Sequence, residues 1–316
     1  MKTALIIGSQ GQDGTLLKEH LLRKRYRVIG LARNGVDAGH GKVSRPSDVL
    51  KLKDVSVLLQ TYKPDEIYYL AAYHHSSEDL SGDLALLLRR SFAVHVDGLL
   101  NVLEAVRAGH PRCRICYAAS SHIFGDARAV PQNESTPMNP DCAYGLTKAA
   151  GRQLCRLYRE QYGVFVSVGI LYNHESPLRG GQFVSRKIVR AAWAIKEGRQ
   201  KELILGNLKA KVDWGYAGDY VQAMHRILQL KKPDDFIISS GELHTVGEFT
   251  QGVFECLGLD AKRYVKQDPA LLKKSGVRQF YGDHSKLTKA AGWEPKVSFK
   301  ELIAMMVRAE RQEHVR

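Results

Sequence analysis

Residues 3–14 read Thr3-Ala4-Leu5-Ile6-Ile7-Gly8-Ser9-Gln10-Gly11-Gln12-Asp13-Gly14. A short apolar, β-prone run enters a turn with glycines at every third position. A helical pattern follows, with Leu16, Leu17, Leu21 and Leu22 on one stripe. Strand, glycine turn and helix N-terminus in that order aim backbone N–H groups and the positive end of a helix dipole at one point. Glycine there lets the backbone approach a diphosphate closely. The stretch therefore predicts a dinucleotide site at Gly8, Gln10, Gly11, Gln12, Asp13 and Gly14.

Downstream, apolar β-branched runs alternate with helical periodicity, as a parallel sheet requires when every crossover carries a covering helix. Strands are expected at Thr3–Ile7, Arg27–Leu31, Glu66–Ala71, Arg114–Ala118 and Phe165–Leu171. Helices are expected at Gly14–Arg25, Val49–Thr61, Leu84–Ala108 and Ala143–Tyr162. This is a doubly wound, Rossmann-type α/β sheet over residues 1–172. After Asn173 the alternation loosens into a smaller, mostly helical unit, 173–212 and 241–316, with the chain returning to the sheet near 213–240.

The 316 residues are 44% hydrophobic and 25% charged, the composition of a chain that can bury a core. A net charge of +14 favours anionic partners. No block of Lys and Arg, helix-turn-helix spacing or Cys/His finger points to nucleic acid. The first apolar run is too short for a signal sequence, and no 18-residue apolar stretch occurs, so a soluble cytoplasmic protein without membrane contact is expected. The five cysteines read as reduced structural thiols, the Cys113-x-x-Cys116 pair lying in a strand where residues three apart face opposite sides.

Two further segments carry chemistry. At the end of the second strand, Gly30-Leu31-Ala32-Arg33-Asn34 has no acid to hold a ribose 2′-hydroxyl, and Arg33 suits a 2′-phosphate, which favours NADP. Asp48 can accept from the adenine amine or cap the next helix. Farther on, Tyr144 and Lys148 sit at i and i+4, neighbours on one helical face. Bringing a phenol from a pKa of about 10 to about 7 takes roughly 4 kcal/mol. One cation about 4 Å away at an effective dielectric near 20 supplies a similar ~4 kcal/mol. The pair lies downstream of Ala118-Ala119-Ser120-Ser121-His122, a strand ending in small hydroxyls.

Together these residues resemble the extended short-chain dehydrogenases/reductases and, within them, the GDP-mannose 4,6-dehydratase family. The resemblance runs through Gly8–Gly14, Leu70-Ala71-Ala72 with His75, Tyr144–Lys148, Asn173-His174-Glu175-Ser176-Pro177 with Arg179-Gly180, Phe183–Lys187, and Gly206-Asn207-Leu208 to Asp213-Trp214-Gly215 and Asp219-Tyr220. It implies NADP chemistry on a GDP-sugar: oxidation at C4, loss of water across C5 and C6, and return of hydride to C6. Tyr144 would be the C4 base, Lys148 its activator and a ribose ligand, and Ser120 the hydroxyl at the C4 oxygen. Ala71, Ala72, His174 and Arg179 would contact cofactor, and His75, Asn173, Val184, Lys187 and Lys273 the nucleotide sugar. A homodimer or homotetramer is implied as well, with Leu86, Leu87, Leu88, Leu99, Leu100 and Leu103 exceeding one buried stripe.

Three positions depart from the pattern. His122 stands where the family carries the glutamate that serves as elimination base, Val212 where an arginine precedes Asp-Trp, and Lys273-Lys274-Ser275-Gly276 where Arg-Pro-x-Glu is expected. A neutral imidazole can take a proton made acidic by an adjacent ketone. Alternatively, elimination is lost and a C4 ketoreductase or epimerase remains, or the chain is an NADP-binding scaffold.

Overall fold

The computed structural model describes residues 1–38, 43–44, 47–73, 83–127, 129–268 and 281–314. Its centre is a sheet of eight strands in the order β11-β7-β6-β5-β1-β2-β3-β4. β1 (Thr3–Ile7) leads through the glycine turn into α1 (Gln12–Arg23), β2 (Arg27–Ala32), β3 (Gly35–Asp37), β4 (Val43–Ser44), α2 (Leu52–Tyr62) and β5 (Glu66–Tyr69). Then come α3 (Leu84–Phe92), a π turn (Ala93–Asp97), α4 (Gly98–Gly109), β6 (Arg114–Ser120), α5 (Ala143–Tyr162) and β7 (Val166–Leu171). β1 pairs in parallel with both β2 and β5, so the winding reverses between β1 and β5. In open α/β sheets the ligand crevice lies outside the strand ends at that reversal.

The expected parallel order holds from β2 to β7. The edge differs: β3 and β4 form an antiparallel extension of β2, which period reading misses because the strands have only three and two residues. The α1 stripe also narrows. Leu17 and Leu21 are buried, whereas Leu22 faces solvent. The long helix expected over 84–108 is interrupted at the π turn, where Tyr69 Oη donates to Val94 O at 2.5 Å.

Past β7 the chain forms β8 (Asn173–Glu175), α6 (Val184–Lys196), β9 (Leu203–Leu205), β10 (Lys211–Tyr216), α7 (Ala217–Ile227), β11 (Asp235–Ile238), β12 (Leu243–Thr245), α8 (Val246–Cys256), α9 (Ala261–Tyr264), β13 (Val265–Gln267), α10 (Ser285–Ala291) and α11 (Phe299–His314). β11 completes the large sheet beside β7. A second core gathers Ile188, Val189, Trp214, Phe249, Phe254, Leu302 and Met306. Two parts cross the expected boundary: Trp214 lies in this second core, and Leu287 and Trp293 pack into the first. The second unit also carries small sheets, β12-β10-β8 and β13-β9.

Candidate active site

The glycine turn is closed by its own geometry. Gly8 has φ +93°, and a Cβ there would stand 2.7 Å from Ala71 N; one at Gly14 would stand 2.3 Å from Gly8 O. Gly11 differs: a Cβ there meets only Gly8 O, at an ordinary 3.5 Å, so internal packing does not require glycine. Gln10 and Gly11 are exposed at the crest, and α1 begins with no side-chain cap on its first-turn N–H groups. Bare donors with an open backbone above them fit the diphosphate of a dinucleotide. Ala71 and Ala72 follow β5 directly, the Ala71 backbone resting against Gly8.

On the next strands, α5 comes very close to the end of β6. At Gly145 a Cβ would lie 2.4 Å from His122 O. Cys142 begins α5, its Sγ accepting the Gly145 N–H at 3.3 Å. Ser120 ends β6, accepts the His122 N–H at 3.3 Å and is hydrogen-bonded to the Tyr144 phenol. The Tyr144 ring stands between two imidazoles set edge-on: His95 at 5.3 Å and 87°, His122 at 5.9 Å and 86°. His122 Nδ1 lies 4.0 Å from Cys142 Sγ.

His95 went unnoticed in the sequence. It is fully buried on the π turn, where Nδ1 lies 2.7 Å from Thr147 Oγ1 and Nε2 accepts the Tyr73 N–H at 2.9 Å. Because the Thr147 hydroxyl donates to the carbonyl of Ala143 or Tyr144, Nδ1 must donate to it, which makes His95 a neutral imidazole. It braces the segment after β5 against the turn of α5 that carries Tyr144. A lone histidine within a helical run gives no periodic signal.

The expectation for Lys148 needs correcting. Its ammonium is fully buried, donates to Ala118 O at 2.7 Å, and lies 5.7 Å from the Tyr144 ring centroid. Desolvation pushes its own pKa down to about 7, with Asp13 opposing. Burial also holds the Tyr144 phenol above its usual range, and the cation that most eases it is Arg179. Spacing placed the two side chains correctly but could not foresee the cost of drying the amine.

Asp13 and His174 meet at the same crevice, Nε2 lying 3.0 Å from Oδ2. Burial alone would raise the Asp13 carboxyl, but His174 brings it below its ordinary value; desolvation would lower His174, but Asp13 raises it. Arg179 pairs with buried Glu175 at 3.2 Å and covers the Phe183 ring. Glu175 and Ser176, quoted in the motif but given no role, are tied in by Ser185 Oγ donating to Glu175 and Ser176 Oγ donating to Gln12 Oε1.

Other expected residues lie elsewhere. Arg33 is exposed on the turn between β2 and β3. An acid absent from the end of β2 returns through the hairpin: Asp37 pairs opposite Gly30, its carboxylate 2.6 Å from Lys18 Nζ. Asp48 does not cap α2, whose N-cap is Lys51; it accepts the Leu50 N–H in the preceding turn. Asn173 starts β8 opposite Trp214, and Val184 packs partly on the second core. Lys187 lines a cavity of about 870 Å³ with Arg190 and Arg199. His75 and Lys273 lie outside the described residues.

Comparison with known proteins agrees with this geometry. Residues 5–306 match the family model described as GDP-mannose 4,6 dehydratase. The chain is 41% identical to GDP-mannose 4,6 dehydratase 2 of Arabidopsis thaliana, over 97% of this chain and 86% of that one. It is 34% identical to the Homo sapiens GDP-mannose 4,6 dehydratase, over 97% and 91%. Among solved structures, RMD from Pseudomonas aeruginosa complexed with NADPH superposes at TM-score 0.85 with 21% identity, over 99% of this chain and all of that one. The dTDP-glucose 4,6-dehydratase of Bacillus anthracis in complex with NAD gives 0.82 with 17% identity, over 100% and 98%. These two show a shared fold. The whole-chain match and the relatives above one-third identity show more: this chain belongs to the GDP-mannose 4,6-dehydratase family.

Proposed function

We propose that the chain is a nucleotide-sugar 4,6-dehydratase acting on GDP-mannose or a related GDP-hexose, with NADP bound at the glycine turn. The observation that carries this reading is the meeting of Ser120, Tyr144, Lys148 and His122 at the end of β6, beside the uncapped start of α1. A dinucleotide held by the Gly8–Gly14 turn and the start of α1 would supply a hydride acceptor for C4 and a hydride donor for C6.

The remaining chemistry falls to side chains. Ser120 and Tyr144 hold the C4 oxygen, and the phenolate takes its proton as the C4 ketone forms. Arg179 is the cation that most eases the buried phenolate, while Lys148, 5.7 Å from the ring centroid, is the neighbour whose own proton is loosely held near neutral pH. The ketone acidifies C5–H. His122 then accepts that proton and gives it to the departing C6 hydroxyl, one imidazole serving as base and then as acid. Exposed Arg33 on the β2–β3 turn and an Asp37 already engaged by Lys18 favour NADP over NAD.

Residues 1–172 with the 213–240 return would serve the cofactor. The unit built on the second core would hold the nucleotide sugar, with Lys187 among its contacts, while His174 and Arg179 serve the cofactor side and the segment carrying Leu287 and Trp293 packs with the first core. We also propose a cytoplasmic homodimer or homotetramer that pairs through the α3–α5 face, where Leu86, Leu146 and Leu157 are 44%, 43% and 48% exposed. The test is incubation of the purified chain and NADP with GDP-mannose and a panel of UDP- and CDP-sugars. A product lighter by one water, formed without net cofactor reduction, is expected; stoichiometric cofactor turnover, or inversion at C4 at unchanged mass, would replace dehydration by ketoreduction or epimerisation.

A further inference from the structure

Asp13 is the second helical residue of α1, on the turn assigned to the diphosphate. Its carboxylate meets His174 Nε2 at 3.0 and 3.1 Å, while His174 Nδ1 lies 2.6 Å from the carbonyl oxygen of Tyr172. Both ring nitrogens thus face acceptors. A carbonyl oxygen cannot donate, so Nδ1 carries a proton, and one more proton must lie between Nε2 and the carboxylate. Wherever that second proton sits, the pair as a whole is neutral.

The arrangement is held from several sides. The Tyr220 ring stacks on His174 at 4.7 Å and 29°. Gln12 Nε2 donates to His174 O at 3.1 Å, and Ser176 Oγ donates to Gln12 Oε1 at 2.8 Å, so two consecutive residues of the turn are fastened to β8. Other charged groups at the site are Glu175 and Arg179, which pair with each other, and Lys148 on α5.

A carboxylate in the first turn of a helix interacts favourably with the bare helix end, and for the same reason competes there with an anionic ligand. We propose that His174 is a positioning residue for the cofactor: by holding one proton against Asp13 it cancels the carboxylate charge at the diphosphate turn and leaves the N-terminus of α1 to a dinucleotide. This rests on the dinucleotide reading of the turn given above.

The test is a double-mutant cycle on the ligand-free chain at one fixed pH, which keeps Lys148 common to all four proteins. Affinity for NADPH is read by its fluorescence, and folding by thermal melting. His174→Gln leaves the Asp13 charge uncancelled and is expected to weaken NADPH roughly two- to thirtyfold, the range for one charge at a helix end. That loss should shrink as salt is raised.

Asp13→Asn keeps a neutral pair, its amide donating to Nε2, and should lose less than about tenfold in NADPH affinity; the Asp13→Asn/His174→Gln double variant, in which no charge is left uncancelled, should bind NADPH more tightly than His174→Gln. A merely structural histidine would leave the double variant at least as weak as His174→Gln. That result, or tenfold weaker binding by Asp13→Asn alone, which tests the idea even if His174→Gln fails to fold, would overturn the inference. No binding of NADPH or NADH by the wild-type chain would overturn the dinucleotide reading and this inference together.

Discussion

The two ends of the parallel strands handle a buried charge in opposite ways. At the N-terminal end, Glu66 opens β5 with its side chain almost wholly inaccessible, and receives hydrogen bonds from Lys2 at 2.9 Å, Tyr26 at 3.0 Å, Tyr68 at 2.7 Å and Gln229 at 3.0 Å. Burial would raise its pKa, yet these donors bring it below the ordinary value. At the C-terminal end, buried Lys148 has one hydrogen bond among the described residues, to Ala118 O, and is pushed down to about 7 by desolvation. The first charge is fully solvated by protein. The second is held at a cost that the protein does not recover by itself, the condition in which a group exchanges protons readily near neutral pH. Under the proposed function, stability is concentrated at one end and reactivity at the other.

Substitutions that separate these two properties test the contrast. Tyr144→Phe should have the largest effect, a fall in turnover of about 10³-fold with melting unchanged, because it removes the proton acceptor and keeps the ring. Next, Lys148→Met should cost about 10²-fold or more in turnover while melting at the same temperature or higher, since it deletes a desolvated amine. Glu66→Ala should do the reverse, losing on the order of 3 kcal/mol of stability by stranding several donors, with KM for the sugar unchanged below the melting range. If Lys148→Met unfolds the chain and Glu66→Ala does not, the contrast is wrong.

His122→Ala should lower formation of the dehydrated product by about 10²-fold while C4 oxidation still reduces cofactor in a single turnover. Unchanged dehydration would make the imidazole structural.

The smallest effect is a pH dependence at the stable end. His20 Nε2 lies 3.2 Å from His225 Nδ1, and His225 Nε2 lies 3.2 Å from Tyr26 Oη. Burial lowers the pKa of His20 to about 4 and also lowers that of His225. A folded pKa below the unfolded value of about 6.5 means that protonation favours the unfolded chain. Stability from this pair is therefore intact above about pH 6.5 and falls as pH drops toward 4. Thermal melting between those limits should show the decline, and His20→Gln should flatten it.

How far the sequence was legible follows from the range of each signal. β1 and α5 begin and end where the local pattern placed them, because a run of apolar β-branched residues or a long amphipathic stripe is complete within itself. The glycine turn was equally local, as was the i, i+4 placement of Tyr144 and Lys148. What escaped notice depends on partners distant in the chain. Asp37 reaches the end of β2 only because a hairpin folds back, and His95 matters only because a π turn aims it at Thr147, 52 residues away. Asp13 and His174 were each noted as cofactor contacts, but their pairing across 161 residues has no sequence signature.

The central claim is that Tyr144 and its neighbours open an internal oxidation and reduction in which C4 loses what C6 gains. The most direct measurement uses GDP-mannose deuterated at C4, with NADP in catalytic amount. The account predicts a dehydrated 4-keto product carrying the deuterium at C6; deuterium accumulating in NADPH, or remaining at C4, would contradict it.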